Sequence, residues 1–86
     1  MAKYKIEVAR SAEKALKRLP KTVLGSIVSA LVNLEINPYP AGCRKLTGEV
    51  SSYRIRVGVY RIVYEVHDNL ILVKVLKIGH RKDVYR

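Results

Sequence analysis

The chain has 86 residues, enough for one domain spanning 1–86 that buries roughly 60–65% of its unfolded surface, and too few for a separate catalytic domain. Seventeen Lys and Arg against seven Asp and Glu give a net charge of +10, above the magnitude of roughly 2–8 that suffices to keep a small domain in solution. A polyanion is therefore the expected partner, whereas the single cysteine excludes an internal disulfide and, with only two histidines, a closed structural zinc site.

No stretch approaches the ~20 apolar residues of a membrane span. Met1 to Val8 alternates charge with hydrophobicity, unlike a secretory leader, so a cytoplasmic protein is expected. All six aromatic residues are tyrosines. Tyrosine combines a stacking ring with a hydroxyl, but most of these are expected to pack at the edge of a core.

Lys3 to Val8 reads as a half-exposed strand, with Tyr4, Ile6 and Val8 alternating against Lys3, Lys5 and Glu7. Ser11 is a plausible N-cap for a helix whose apolar stripe is Ala12, Ala15, Leu16 and Leu19. Glu13 lies in its first turn, favourable against the helix dipole. Pro20 stops this helix and can begin the next. The second helix is expected from about Lys21 to Glu35, with a wide stripe of Val23, Leu24, Ile27, Val28, Leu31, Val32 and Leu34. Gly25 in its body costs about 1 kcal/mol relative to alanine, which a close helix–helix approach would offset. Asn37-Pro38 ends it. Residues 38–52 are rich in Pro and Gly and read as a loop anchored by Leu46. Cys43 is expected as a small loop or core-edge residue, since neither histidine is near it in sequence. Arg44 and Lys45 in that loop could extend a cationic groove.

Three β-rich runs follow. In the first, Tyr53, Ile55 and Val57 alternate with Arg54 and Arg56, so both arginines share a face. In the second, Tyr60, Ile62, Tyr64 and Val66 oppose Arg61, Val63 and Glu65. A hairpin at Gly58 would put Arg54, Arg56 and Arg61 on one side of a sheet. Asp68-Asn69 signals the next turn. Leu70 to Ile78 looks apolar on both faces apart from Lys74 and Lys77, as a mid-sheet strand would. The order β-α-α-β-β-β predicts an α+β fold: a two-helix hairpin packed on a mostly antiparallel four-stranded sheet.

The residues suggest one chemistry. There is no Gly-rich phosphate loop, no HExxH and no nucleophile triad pattern. Fixed guanidinium groups can stabilise the charge that builds on phosphate oxygens when a neighbouring 2′-hydroxyl attacks a phosphodiester, and this needs no metal. That attack also needs a proton acceptor, and the departing 5′-oxygen needs a donor. His80, Tyr85 and the arginines are the groups able to share those tasks near the sheet face. Composition and spacing alone describe a polyanion binder equipped for phosphodiester chemistry.

The segment YRIRVGVYRIVYEV followed by KIGHRKDVYR resembles the RelE toxins of the RelE/ParE toxin–antitoxin superfamily, and the order of elements and the basic charge agree over essentially the whole chain. The resemblance implies a metal-independent, cofactor-free endoribonuclease that cuts messenger RNA in the ribosomal A site and is held inactive by a cognate acidic antitoxin. Carried over by position, it implies that Arg61 contacts the scissile phosphate. It implies that Arg81 stabilises the transition state or protonates the leaving group. Tyr85 would stack on the substrate base and help activate the 2′-hydroxyl. His80 stands where some members have a catalytic histidine and others a lysine. Arg54 and Arg56 stand where members carry basic residues, often lysines, and these two, with Lys45 and Lys82, would bind substrate. Two alternatives stand beside this reading: a ParE-like gyrase inhibitor, and a non-catalytic basic RNA-binding module. The full GHRKDVYR tail argues against the first.

Overall fold

The computed structural model describes residues 3–46 and 51–80. Strand β1 (Lys5–Val8) leads into α1 (Arg10–Arg18) and α2 (Lys21–Ile36). A two-residue strand β2 (Arg44–Lys45), then β3 (Ser52–Val57), β4 (Tyr60–His67) and β5 (Leu72–His80) complete one five-stranded sheet in the order β1-β5-β4-β3-β2. Only β1 and β5 run parallel; the other pairs are antiparallel. The expected α+β fold and order of elements are present. The sheet has one more strand than expected, because Arg44 and Lys45 in the 38–52 stretch pair with Arg54 and Tyr53.

Both helices cover one face of the sheet. Ala12 of α1 and Ile27, Leu31 and Leu34 of α2 are buried against Ile55, Ile62, Tyr64, Val66, Val73, Val75 and Ile78. Ile55, Ile62, Tyr64 and Val66 are on the side that the alternation assigns them, and each large aliphatic side chain withdrawn from water contributes roughly 1.5–3 kcal/mol. The β3–β4 hairpin closes on Gly58, at φ +62°, a conformation that costs glycine little and other residues more. Among the described residues no helix is long and apolar enough to cross a membrane.

Two local expectations are corrected, and a third is refined. Ser11 is not the N-cap: the cap is Ala9, so α1 starts two residues earlier, and the Ser11 hydroxyl donates instead to the Leu76 carbonyl at 2.9 Å. That carbonyl belongs to a β-bulge. Val63 pairs with Lys77 but Tyr64 with Val75, so Leu76 is an extra residue on β5 and its main chain is left out of the ladder. The run from Leu70 to Ile78 does give a mid-sheet strand, β5, between β1 and β4, but it starts at Leu72 and its far side carries Lys74 and Lys77. The bulge shifts the phase by one, so that Val73, Val75 and Ile78 all reach the core while Lys74 and Lys77 stay on the far side. Finally, Gly25 makes no close helix–helix contact, since a Cβ built there meets nothing within 4 Å.

A tyrosine cluster ties the ends of the sheet to the loop after α2. The Tyr4 and Tyr39 hydroxyls donate to the two carboxylate oxygens of Asp68 at 2.7 and 2.8 Å. Tyr64, fully buried, donates to the Pro38 carbonyl at 2.8 Å. The rings of Tyr39 and Tyr53 meet edge-on at 5.2 Å, and those of Tyr53 and Tyr64 stack at 6.0 Å. Tyr4, Tyr53 and Tyr64 thus serve packing, as expected of most of the tyrosines.

Candidate nucleic-acid interface

The face of the sheet away from the helices is cationic. In antiparallel pairs, directly opposed residues project to the same side. Arg56 stands opposite Arg61, and Arg54 opposite Val63, two residues along the same strand. Arg44 on β2 stands opposite Arg54. On β5, Gly79 faces Arg61, Lys77 faces Val63 and Lys74 faces Glu65. Strand spacing of about 4.8 Å and a two-residue step of about 6.7 Å put these groups within reach of a few nucleotides. Glu65 is the acidic residue of β4 on this face, and its Oε1 lies 3.1 Å from the His67 Nε2.

The sequence brought Arg54, Arg56 and Arg61 together on one face, and the register does the same. The register favours Arg44 over Lys45, since Lys45 lies opposite Tyr53 and shares the side of the sheet on which Tyr53 packs. Lys74 lies on the arginine face by plain alternation with Val73 and Val75, and Lys77 joins it only because of the bulge. The signal was present in the sequence as a run whose apolar residues fit neither parity throughout, but nothing there says where the extra residue sits.

Arg61 differs from its neighbours. It is 5% exposed, whereas Arg44 and Arg56 are exposed side chains. A guanidinium held in such a site cannot be neutralised, and water screens its field less than that of a surface lysine. Its β5 neighbour, Gly79, has no side chain to stand beside it. The hairpin fixes Arg61 directly across from Arg56, so two like charges sit on adjacent strands. That arrangement is unfavourable alone and becomes favourable when an anion lies between them.

His80 ends β5 opposite Tyr60, with ring centroids 5.9 Å apart at 70°. This register position shares the Tyr60 side of the sheet, not the Arg61 side. Arg81, Lys82 and Tyr85 lie outside the described residues. Cys43 is half-buried and packs against the core from the loop. Burial is the main cause that pushes the Tyr64 phenol far above its ordinary range, with the Cys43 thiol beside it adding to the effect.

In the turn between β4 and β5 the Asp68 carboxyl is held below the usual carboxylate range by the hydrogen bonds from Tyr4 and Tyr39. Tyr39 is pushed up, first by loss of water around it and then by the bond to Asp68. These shifts belong to the packing cluster.

The sequence and the fold have counterparts among known proteins. Residues 6–85 match the family described as the ParE toxin of type II toxin-antitoxin systems, parDE. Toxin RelG of Mycobacterium tuberculosis is 32% identical over 87 aligned positions covering 96% of this chain and 97% of the relative. The RelE–RelB complex of Pyrococcus horikoshii OT3 contains a chain that superposes with a TM-score of 0.84 at 30% identity, covering 94% of this chain and 98% of that one. The isolated E. coli RelE toxin superposes with a TM-score of 0.80 at 30% identity, covering 95% and 90% of the two chains. With a family match over nearly its whole length and relatives of RelE type alike in sequence and fold, this chain belongs to the ParE/RelE family of type II toxin–antitoxin toxins, and within it to the RelE type.

Proposed function

We propose that this toxin is a metal-independent endoribonuclease that cleaves messenger RNA in the ribosomal A site and so arrests translation in the cytoplasm. The observation that carries this reading is the Arg56–Arg61 cross-strand pair, flanked by Arg54, on the face the helices leave open. In the proposed step the 2′-hydroxyl oxygen forms a bond to the adjacent phosphorus and the bond to the 5′-oxygen breaks. The products are a 2′,3′-cyclic phosphate and a 5′-hydroxyl. Arg61 holds the scissile phosphate, and Arg44, Arg54, Arg56 and Lys82 bind the strand. Arg81 stabilises the charge developing on the phosphate or gives the leaving 5′-oxygen its proton. Tyr85 stacks on the base and helps take the proton from the 2′-hydroxyl. His80, at the end of β5 against Tyr60, serves where the strand hands over to the tail that carries Arg81 and Tyr85. Preorganised donors of this kind are worth about 10²–10³ in rate each.

The partner that silences it is proposed to be a small acidic antitoxin, whose charge would complement +10. The relatives from P. horikoshii, M. tuberculosis and E. coli are solved as toxin–antitoxin complexes. Incubation of purified ribosomes programmed with messenger RNA tests the reading: wild type cuts in the A site, and Arg81→Ala cuts at least 100-fold more slowly. Equal cleavage by the two rejects it. The matching family is described by its ParE toxins, which keeps gyrase inhibition as a second reading. A supercoiling assay decides, because a RelE-type nuclease leaves gyrase active.

A further inference from the structure

A cleft of about 420 Å³ opens at the β2 end of the sheet, lined by Ala30 and Asn33 of α2, by Pro40, Ala41 and Gly42 of the loop, by Arg44, and by Ile55, Arg56 and Val57 of β3. Its origin is a strand that stops early. The Leu46 N–H donates to the Ser52 carbonyl at 2.9 Å, so the main chain of Ser52 faces β2, and by alternation so do those of Arg54 and Arg56. Arg44 covers Arg54 and is the last residue of β2 in that direction. The chain then turns away, with the Cys43 N–H donating to the Pro40 carbonyl and Gly42 at φ +89°. Among the described residues no strand lies opposite Arg56 on this edge. Its backbone N–H and C=O therefore face the open edge, at a cleft whose lining also holds Asn33 and apolar residues.

We propose that this cleft receives an unpaired nucleobase from a nucleotide next to the one whose phosphate lies on Arg56 and Arg61. The proposal rests on the RNA-cleaving reading and adds a base subsite to it. Three observations support a base over other ligands. Apolar residues, Ile55, Val57, Ala30 and Pro40, can pack against a flat ring. Asn33 and the Arg56 backbone each offer a donor and an acceptor, the combination that reads a base edge in single-stranded RNA. The two charged residues of the lining are arginines, and both also belong to the phosphate-binding face. A strand of ribose and phosphate could then cross the sheet edge with its base turned inward.

An antitoxin segment adding a strand is the competing occupant. Strand addition draws its affinity from a row of main-chain hydrogen bonds. Here β2 already occupies the edge up to Arg54, so little beyond Arg56 remains to pair. A ligand that needs one or two backbone bonds and a ring-sized hole fits better than one that needs a row.

The test is binding rather than cleavage. Short 2′-O-methyl RNA strands of A, of C and of U, which cannot be cut, are titrated into purified toxin beside an abasic sugar–phosphate strand of equal length. The base-bearing strands are expected to bind about tenfold more tightly than the abasic one, as stacking of one base predicts. Ala30→Leu, which fills the cleft, is expected to erase that difference while the salt dependence of binding stays unchanged. Asn33→Ala is expected to collapse the ranking among the three bases. Backbone amide shifts at 30, 33, 42 and 55–57 should follow the base-bearing strands only. Equal binding of abasic and base-bearing strands overturns the proposal. So does an Ala30→Leu variant that melts normally and binds as wild type. Should Ala30→Leu not fold, Asn33→Ala decides, and an unchanged ranking overturns the proposal. Cleft shifts with an antitoxin peptide but none with RNA overturn it in favour of the peptide. Wild-type protein that shows the base dependence yet never cuts A-site messenger RNA sinks the nuclease reading and leaves the cleft standing.

Discussion

Asp68 accepts from two tyrosines that come from the chain's beginning and from the loop after α2, and it holds the turn before β5 to both. Its folded carboxyl is depressed by those bonds. The linked stability is therefore present above the unfolded value of about 3.9 and is lost as pH falls through the folded value. Asp68→Asn removes the carboxylate. The melting-temperature difference between wild type and Asp68→Asn should be constant from neutral pH to about 5 and shrink below about 4. A difference unchanged down to pH 2 would contradict the role given to Asp68. The phenols of Tyr39 and Tyr64 are raised instead, so their contribution is present below about 10 and is lost only in strong alkali. Gly25 offers the opposite kind of test. It is helical and exposed, and its Cβ position is empty. Gly25→Ala should raise stability by about 0.5–1 kcal/mol in urea unfolding, and a destabilised variant would show a contact not seen here.

The bulge on β5 decides how much of the cationic face exists. In an unbroken strand Lys77 would share the side of Val73 and Val75 and point into the core. The extra residue, Leu76, returns it to the side of Arg61. Ser11 binds the carbonyl that the bulge frees, so a helix residue stabilises a strand irregularity. Ser11→Ala should cost about 1 kcal/mol in chemical denaturation, close to the net value of one hydrogen bond plus the carbonyl left exposed to poor solvation. Losses below about 0.3 kcal/mol would mean that water takes over that carbonyl. The limits of sequence reading have the same source. Alternation from Tyr53 to Val66 was legible because polar and apolar residues take turns there, and it carried Arg54, Arg56 and Arg61 to one face. Leu70 to Ile78 pointed correctly to a mid-sheet strand but hid its phase shift, because Leu76 is apolar and tolerated on either side. Strand β2 is two residues of charge, so neither its existence nor its register, and hence the choice of Arg44 over Lys45, could be read from pattern. The capping role given to Ser11 failed because a hydroxyl near a helix start has other acceptors in a folded chain.

The molecule divides its two faces by purpose. The helix side holds the core, and the open side concentrates arginine and lysine around a nearly buried Arg61. The net charge of +10 makes salt a direct probe of that division. Affinity for a single-stranded RNA should fall with a log–log slope of about −0.7 for each phosphate held, and Arg44→Ala and Arg54→Ala should each reduce the slope by roughly that amount. Slopes unchanged by both would place the RNA elsewhere. The most direct measurement is single-turnover cleavage of messenger RNA on purified ribosomes by wild type, Arg56→Ala, Arg61→Ala and the helix-side control Lys21→Ala, each checked by thermal melting. Loss of at least 100-fold in rate by folded Arg61→Ala, a smaller loss by Arg56→Ala and wild-type cleavage by Lys21→Ala are the expected results. Folded Arg61→Ala protein that cuts at the wild-type rate would contradict the assignment of the open sheet face as the site of chemistry.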